Sequence, residues 1–509
     1  MRSSFSECKM NICNILNCLE VDILIVGGGA SGIYSAWRLS QTYPNKKVLV
    51  IEEKSYLGGR LESVYFGNEK IYAEVGGMRT FPSIDLYVTA VIKKLNLQSI
   101  PVPYIEPDNI AYVKNTRLTV EVTSIGPSSN PEKQKLIQLY KIPPDEQNIS
   151  TNNIIYTAAI KAAPTFPEDW RTVYEYPELN NETFSEMLSE QGVSANTQQV
   201  FEVFSGYSFF ISQRLAASTG IRENVSISGE GQQHFVVGGY SSIVFGMTDE
   251  TFCNPNYQLF LNTSIKKITP SNSPNGLHTS ILVDTLTGKS ITIKSKSIIL
   301  SVPKDSLNRI VAPITPNTIE TMNSLTDWRA FKAFLLVDQT TYQLISMNGH
   351  MKGRGISDLP ARQVWAYSGN PPCVLIYCDN AYADFWKKYI NDEINNCFPK
   401  FHDPCINKPL VSELKRQIGI IYSVDPSKII VNKILYKYWY AGAYFSKPSD
   451  VPKLFEEVQT PLGPEYSVYL VGSDISLSQG WVDGALNTAD NLLVKYYGVT
   501  SILDENKLC

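Results

Sequence analysis

An apolar run from Val21 to Val26 leads into Gly27, Gly29 and Gly32 at GxGxxG spacing, and a helical segment follows. A second apolar run, Val48 to Ile51, ends in Glu52, twenty residues after Gly32. This combination restricts the opening of the chain to strand, tight turn, helix and parallel strand, because each part has its own job in a βαβ nucleotide site. Gly27 makes the turn, Gly29 lets the backbone approach a pyrophosphate, and Gly32 lets the helix pack closely on the strand. The N–H groups and positive partial charge of the helix N-terminus suit the phosphates. Glu52 can accept hydrogen bonds from ribose hydroxyls. A glycine triplet alone would be weak, but strand, helix, second strand and acid in register specify a dinucleotide site.

The continuation distinguishes FAD from NAD. Leu57, Gly58, Gly59 and Arg60 follow the acid, and AEVGGMRTFPS occupies residues 73 to 83. Two more glycine pairs and an arginine near one nucleotide suit a larger ligand with its own charged linker. These residues resemble the FAD-binding N-terminus of the flavin amine oxidase family, which includes monoamine, polyamine and L-amino-acid oxidases. The resemblance implies that Arg60 contacts the FAD pyrophosphate and that Gly76 and Gly77 bring backbone close to the flavin. It also assigns Ala30, Ser31, Glu53, Gly59, Met78 and Ile265 to the cofactor.

A second anchor lies near the C-terminus. Family members close the FAD site with a strand, a glycine, an acid and a helix that begins after an aromatic-glycine turn. Gly472 fits this pattern, and Gly480, Trp481, Val482 and Asp483 resemble the GWxD turn of L-amino-acid oxidases. The acid expected directly after the glycine is replaced by Ser473, so Asp474 stands in for it. The helix from Val482 would aim its positive N-terminus at the flavin.

Substrate class turns on Arg79. In L-amino-acid oxidases a GxMR segment places an arginine that grips the substrate carboxylate, and Gly77, Met78 and Arg79 match it. A guanidinium offers two parallel N–H donors to a carboxylate, giving orientation as well as charge; a salt bridge to a protein carboxylate is the plainer alternative. Arg79 is also expected to touch the flavin. Lys332, in the alternating run WRAFKAFLLV, matches the family lysine that holds a water near the flavin. Asp358, Pro360 and Arg362 resemble a TDLPxR segment that precedes a pocket strand, which places either Trp365 or Tyr367 at the substrate. Trp439, between Tyr438 and Tyr440, is a further aromatic candidate; Gly480 and Trp481 would line the amine side. His234 is the histidine nearest a recognisable motif.

The remaining features mostly exclude. At 509 residues, with 43% hydrophobic and 18% charged residues, the chain has room for two or more domains and a large core. A net charge of −4 argues against a nucleic-acid partner. No apolar stretch is long enough to span a bilayer, and the first twenty residues do not read as a signal peptide, so an intracellular protein is expected. The nine cysteines fit neither zinc sites nor a disulfide framework, so no metal is expected. None lies between Cys405 and Cys509, where monoamine oxidases attach flavin, so FAD should be bound non-covalently.

The expected architecture is mixed α/β, with a Rossmann-like FAD-binding domain interleaved with a substrate domain built on a mixed sheet and helices. The FAD domain would take residues 21–82, 234–303 and 455–509, and the substrate domain 83–233 and 304–454, after an extension over 1–20. Residues 126–180 read as an irregular excursion. The activity implied by the resemblance is oxidation of an L-amino acid by oxygen to a 2-oxo acid, ammonia and hydrogen peroxide. Its rivals are an oxidase for amines or polyamines, an amino-acid 2-monooxygenase and a non-catalytic flavin protein. A homodimer is compatible with all of them.

Overall fold

The computed structural model describes residues 18–505 except 68–71, 103–108, 121–129, 149, 167–169, 213, 229–231, 274–275, 347–352 and 450. Two seven-stranded sheets organise it. In the first, strand Cys18–Val26 lies between parallel neighbours Val48–Ile51 and Ser290–Leu300. The hydrophobic run Val48–Ile51 is buried throughout, as a strand covered on both faces should be. Tyr257–Phe260 extends the sheet beyond it. On the far side, the first half of Ser290–Leu300 pairs with His278–Asp284 and the last three residues pair with Val468–Leu470. The C-terminal strand thus enters beside the first strand's neighbour and delivers residues 471–481 to the same sheet end. Helix Ala30–Thr42 packs here against helices Ser242–Thr251 and Val482–Leu492.

The second sheet runs Val431–Phe445, Thr326–Val337, Pro372–Asp379, Gln363–Gly369, Gly353–Ser357, Ile110–Val113 and Thr116–Thr119. Its strands fall in two blocks, 110–119 and 326–445, between the strands of the first sheet along the chain. The fold is mixed α/β, and the first sheet with its glycine turn and helix is Rossmann-like.

One stretch departs from expectation. Residues 126–180 hold helices Pro131–Tyr140 and Thr151–Ala162, a 3-10 turn at Trp170–Glu175 and a short helix at Pro177–Asn180. The polar residues that make the region look irregular are the caps: Asn130 accepts from the Glu132 and Lys133 N–H groups, and Ser150 from that of Asn153. Pro131 sits in the first turn, where it costs no hydrogen bond. No helix among the described residues is long and apolar enough to cross a membrane.

Candidate active site

One cavity of about 700 Å³ is lined from both sheets. Its wall includes Gly27, Gly29, Ala30, Ser31, Glu52, Glu53, Ile265 and Arg309 as well as Arg79, Tyr207, Phe209, Glu223 and Trp481.

The glycine turn divides its labour as a nucleotide cradle would. A Cβ on Gly27, at φ +111°, would lie 2.2 Å from the Ser301 carbonyl oxygen, and one on Gly32 would lie 2.0 Å from that of Gly27. These two are glycine for packing, and Gly32 stands behind the cavity wall. A Cβ on Gly29 would meet only the Cα of Gly59, at 3.8 Å. Gly29 bridges Gly58, and the Gly58 N–H donates to the Gly28 carbonyl at 3.0 Å. Two glycine turns therefore touch and leave bare backbone at the N-terminus of helix Ala30–Thr42, which suits a pyrophosphate. Glu52 lines the wall but also holds the turn, accepting from Gly28 N at 2.7 Å and Lys54 N at 2.8 Å. Burial raises its pKa against those bonds. Glu53 pairs with Arg309 at 2.9 Å.

Arg60 joins the glycine-arginine turn to the C-terminal segment. Its Nη2 donates to Ser473 Oγ and to Asp474 Oδ1, both at 2.8 Å. Asp474 is buried, and Gly472, Ser473 and Asp474 all line the cavity. The displaced acid thus reaches the wall, and the serine in its place is a second partner for Arg60. Gly480, at φ +79°, packs over Phe445 and Ala443, and Trp481 caps helix Val482–Leu492 with Val482 on the wall.

Lys332 is buried, and its Nζ donates to the carbonyls of Glu74 at 2.9 Å and Gly76 at 2.5 Å. Burial pulls its pKa down to about 7, against the Glu74 charge and with the help of Arg79. The Glu74 carboxyl is pushed by burial up to about 8, although Ser63, the Tyr240 N–H and Lys332 favour its ionised form. Trp439 donates to the Val75 carbonyl at 2.6 Å, so the lysine and the indole hold adjacent peptides of one segment. Gly76, Gly77 and Met78 continue that segment along the wall.

Arg79 is buried in the wall, and its Nη2 donates to the Tyr207 hydroxyl at 3.2 Å. Burial raises the pKa of that hydroxyl, but the guanidiniums of Arg79 and Arg354 outweigh burial and bring it below the ordinary tyrosine value. Glu223, also buried, accepts from Trp481 Nε1 at 2.9 Å. Burial drives its carboxyl up to about 7 despite Trp481 and Arg222.

Two expected pocket residues stand elsewhere. Trp365 is in the core with its indole on Gln363, and Tyr367 donates to the Tyr72 carbonyl at 2.6 Å among Phe66, Phe235 and Phe334. Neither lines the cavity. The reason is sheet order: Pro372–Asp379 lies between their strand and the lysine strand, so Tyr377, in register with Lys332, is the aromatic that faces inward. Lys332 Nζ lies 4.7 Å from the Tyr377 ring centre. His234 shares a hydrogen bond with Ser99 at 3.0 Å, away from the cavity lining. Trp328, Tyr207, Phe209, Tyr240 and Glu223 also line the cavity, although none belongs to a recognisable motif. Strand alternation from Lys332 through Ala330 reaches Trp328; the others carry no local signal.

The family model for flavin containing amine oxidoreductases matches residues 30–491. An uncharacterized protein of Acanthamoeba polyphaga mimivirus is 95% identical over 508 residues, covering 100% of both chains. Aplysianin-A of Aplysia kurodai is 24% identical over 539 aligned positions, covering 95% of this chain and 92% of its own. A putrescine oxidase bound to putrescine superposes with a TM-score of 0.66 at 16% identity, covering 94% of this chain and 100% of the other, a likeness of fold. The chain belongs to the flavin containing amine oxidoreductase family, with FAD as its cofactor.

Proposed function

We propose that the cavity carries out oxidative deamination of an L-amino acid to a 2-oxo acid, with release of ammonia and hydrogen peroxide. The observation that supports it most is Arg79, a guanidinium buried in the cavity wall beside the Tyr207 hydroxyl. A buried cation on that wall favours a substrate carboxylate and would repel a second ammonium group.

FAD, when bound, would supply the two-electron acceptor for oxidation of the substrate's CH–NH2 group to an imine, with oxygen as the final acceptor giving hydrogen peroxide, and water hydrolyses the imine to the 2-oxo acid and ammonia. Gly29 and Gly59 would admit its pyrophosphate, with Arg60 beside it, and Glu52 its ribose. No cysteine among the described residues lines the cavity, which supports non-covalent binding. Residues 21–82, 234–303 and 455–509 would form the FAD-binding part, and 83–233 with 304–454 the substrate part. Arg79 orients the carboxylate, and Gly480, Trp481 and Trp439 confine the amine. Lys332, with a pKa near neutrality, can hold a water at Nζ and move a proton there.

An oxidase for amines without a carboxylate is the second reading. The solved structure of similar fold holds putrescine. Peroxide release by the FAD-loaded protein, measured with L-amino acids and with their decarboxylated amines, separates the two. Turnover of amino acids but not amines is expected. Turnover of amines alone would overturn the reading built on Arg79.

A further inference from the structure

Helix Ala217–Ser228 reaches the cavity from the part of the chain that carries no recognisable motif. Its consecutive residues Arg222 and Glu223 hold the two ends of one turn. Arg222 Nη2 donates to Ser478 Oγ at 2.5 Å, and Glu223 Oε2 accepts from Trp481 Nε1 at 2.9 Å. The Arg222 guanidinium lies 4.3 Å from the Trp170 ring centre, which fixes its direction.

The helix is itself anchored. A Cβ on Gly220 would lie 2.5 Å from the Phe184 ring, so the helix packs closely on helix Phe184–Glu190. Ala216 N donates to the Ser446 carbonyl at 3.1 Å, and Ser446 N donates to Gln479 Oε1 at 2.8 Å. Turn 478–481 is therefore held from the helix on one side and from the end of strand Val431–Phe445 on the other. Its last residue, Trp481, stands on the cavity wall and begins helix Val482–Leu492.

We propose that Arg222 and Glu223 are positioning residues, a two-point clamp that sets Trp481 on the cavity wall. This rests on the cavity being where the amine is oxidised. The work of Glu223 is acceptance of the indole N–H, which the carbonyl oxygen of a glutamine can also accept. Its charge is secondary. A wall residue out of place by an ångström can cost a reaction about a hundredfold, and supporting contacts of this kind prevent it.

The test uses the full-length, FAD-loaded protein carrying 5-fluorotryptophan, with the Trp481 resonance assigned by its loss in Trp481→Phe. In Glu223→Gln that resonance should stay sharp, and kcat/KM should stay within about threefold of the parent. In Glu223→Ala the resonance should move and broaden, and kcat/KM should fall by about a hundredfold with flavin content unchanged. Should Glu223→Ala not fold, Ser478→Ala removes the other grip and should broaden the same resonance. An unmoved resonance in the variant that folds would overturn the clamp. Loss of activity in Glu223→Gln equal to that in Glu223→Ala would also overturn it, by making the charge the working feature. If the parent oxidises no amine or amino acid, the proposed function fails while the fluorine signal still reads the clamp.

Discussion

At the scale of single residues, two buried cations on one wall make different predictions. If Arg79 grips the substrate carboxylate as proposed, Arg79→Ala removes a charge-assisted fork worth about 2–3 kcal/mol. The KM for amino acids should therefore rise about a hundredfold, while any turnover of simple amines stays unchanged. An equal loss for both substrate kinds would make Arg79 a structural group. Lys332 predicts through pH. A lysine whose pKa falls from 10.5 to about 7 on folding costs stability in full below pH 7. That cost fades as pH rises toward 10.5, where the unfolded chain loses the proton too. Lys332→Met removes the cost and, at every pH, the two hydrogen bonds to the Glu74 and Gly76 carbonyls. Relative to the parent it should be more favourable at pH 6 than at pH 9, by about 2–3 kcal/mol. The Glu74 carboxyl remains in both proteins. Denaturant titrations at the two pH values check this, and a pH-independent difference would mean the lysine keeps an ordinary pKa.

At the scale of elements, the glycine turn separates packing from binding. Gly32→Ala drives a methyl into the Gly27 carbonyl and should destabilise the fold by several kcal/mol, on the order of an overpacked core. Gly29→Ala meets only the Gly59 Cα, so the protein should fold normally and lose FAD affinity at least tenfold, measured by flavin fluorescence on titration. Unchanged affinity would mean that no phosphate approaches there. This division was legible in the sequence because a βαβ turn is local: spacing alone separates its three glycines. The C-terminal strand and its glycine-tryptophan turn were legible for the same reason. The pocket aromatics were not. Trp365 and Tyr367 sit on the right kind of strand, but sheet order decides which strand faces the cavity, and order is not written in a strand's own residues. Glu223 comes from a helix, and Tyr207 from the loop between helices Ala195–Ser205 and Phe209–Ser212, and the place of both depends on tertiary packing. The helices within residues 126–180 were hidden because their capping residues are also the residues of loops.

At the scale of the whole molecule, the cavity crosses from one sheet to the other, and hydrogen bonds make the same crossing. Lys332 and Trp439 of the second sheet hold the 74–76 segment, while Arg60 Nη1 donates to the Gly442 carbonyl at 3.4 Å and Tyr444 donates to Asp305 at 2.7 Å. Blocks of strands from the two sheets are interleaved along the chain, so neither sheet can be completed without the other's connecting segments. A cofactor bound between them should therefore stabilise one cooperative unit. A ligand at a hundredfold excess over its Kd adds about 2.7 kcal/mol to the folded state. For a chain of 509 residues, whose unfolding entropy is on the order of 1 kcal/mol per kelvin, that corresponds to a rise in Tm of roughly 2–3 °C. Calorimetry of the protein with and without FAD should show a single transition displaced by that amount, growing with the logarithm of FAD concentration. Two separated transitions, of which FAD moves only one, would mean that the sheets unfold independently. The cofactor would then belong to the first sheet alone, and the contacts across the cavity would contribute little to holding the molecule together.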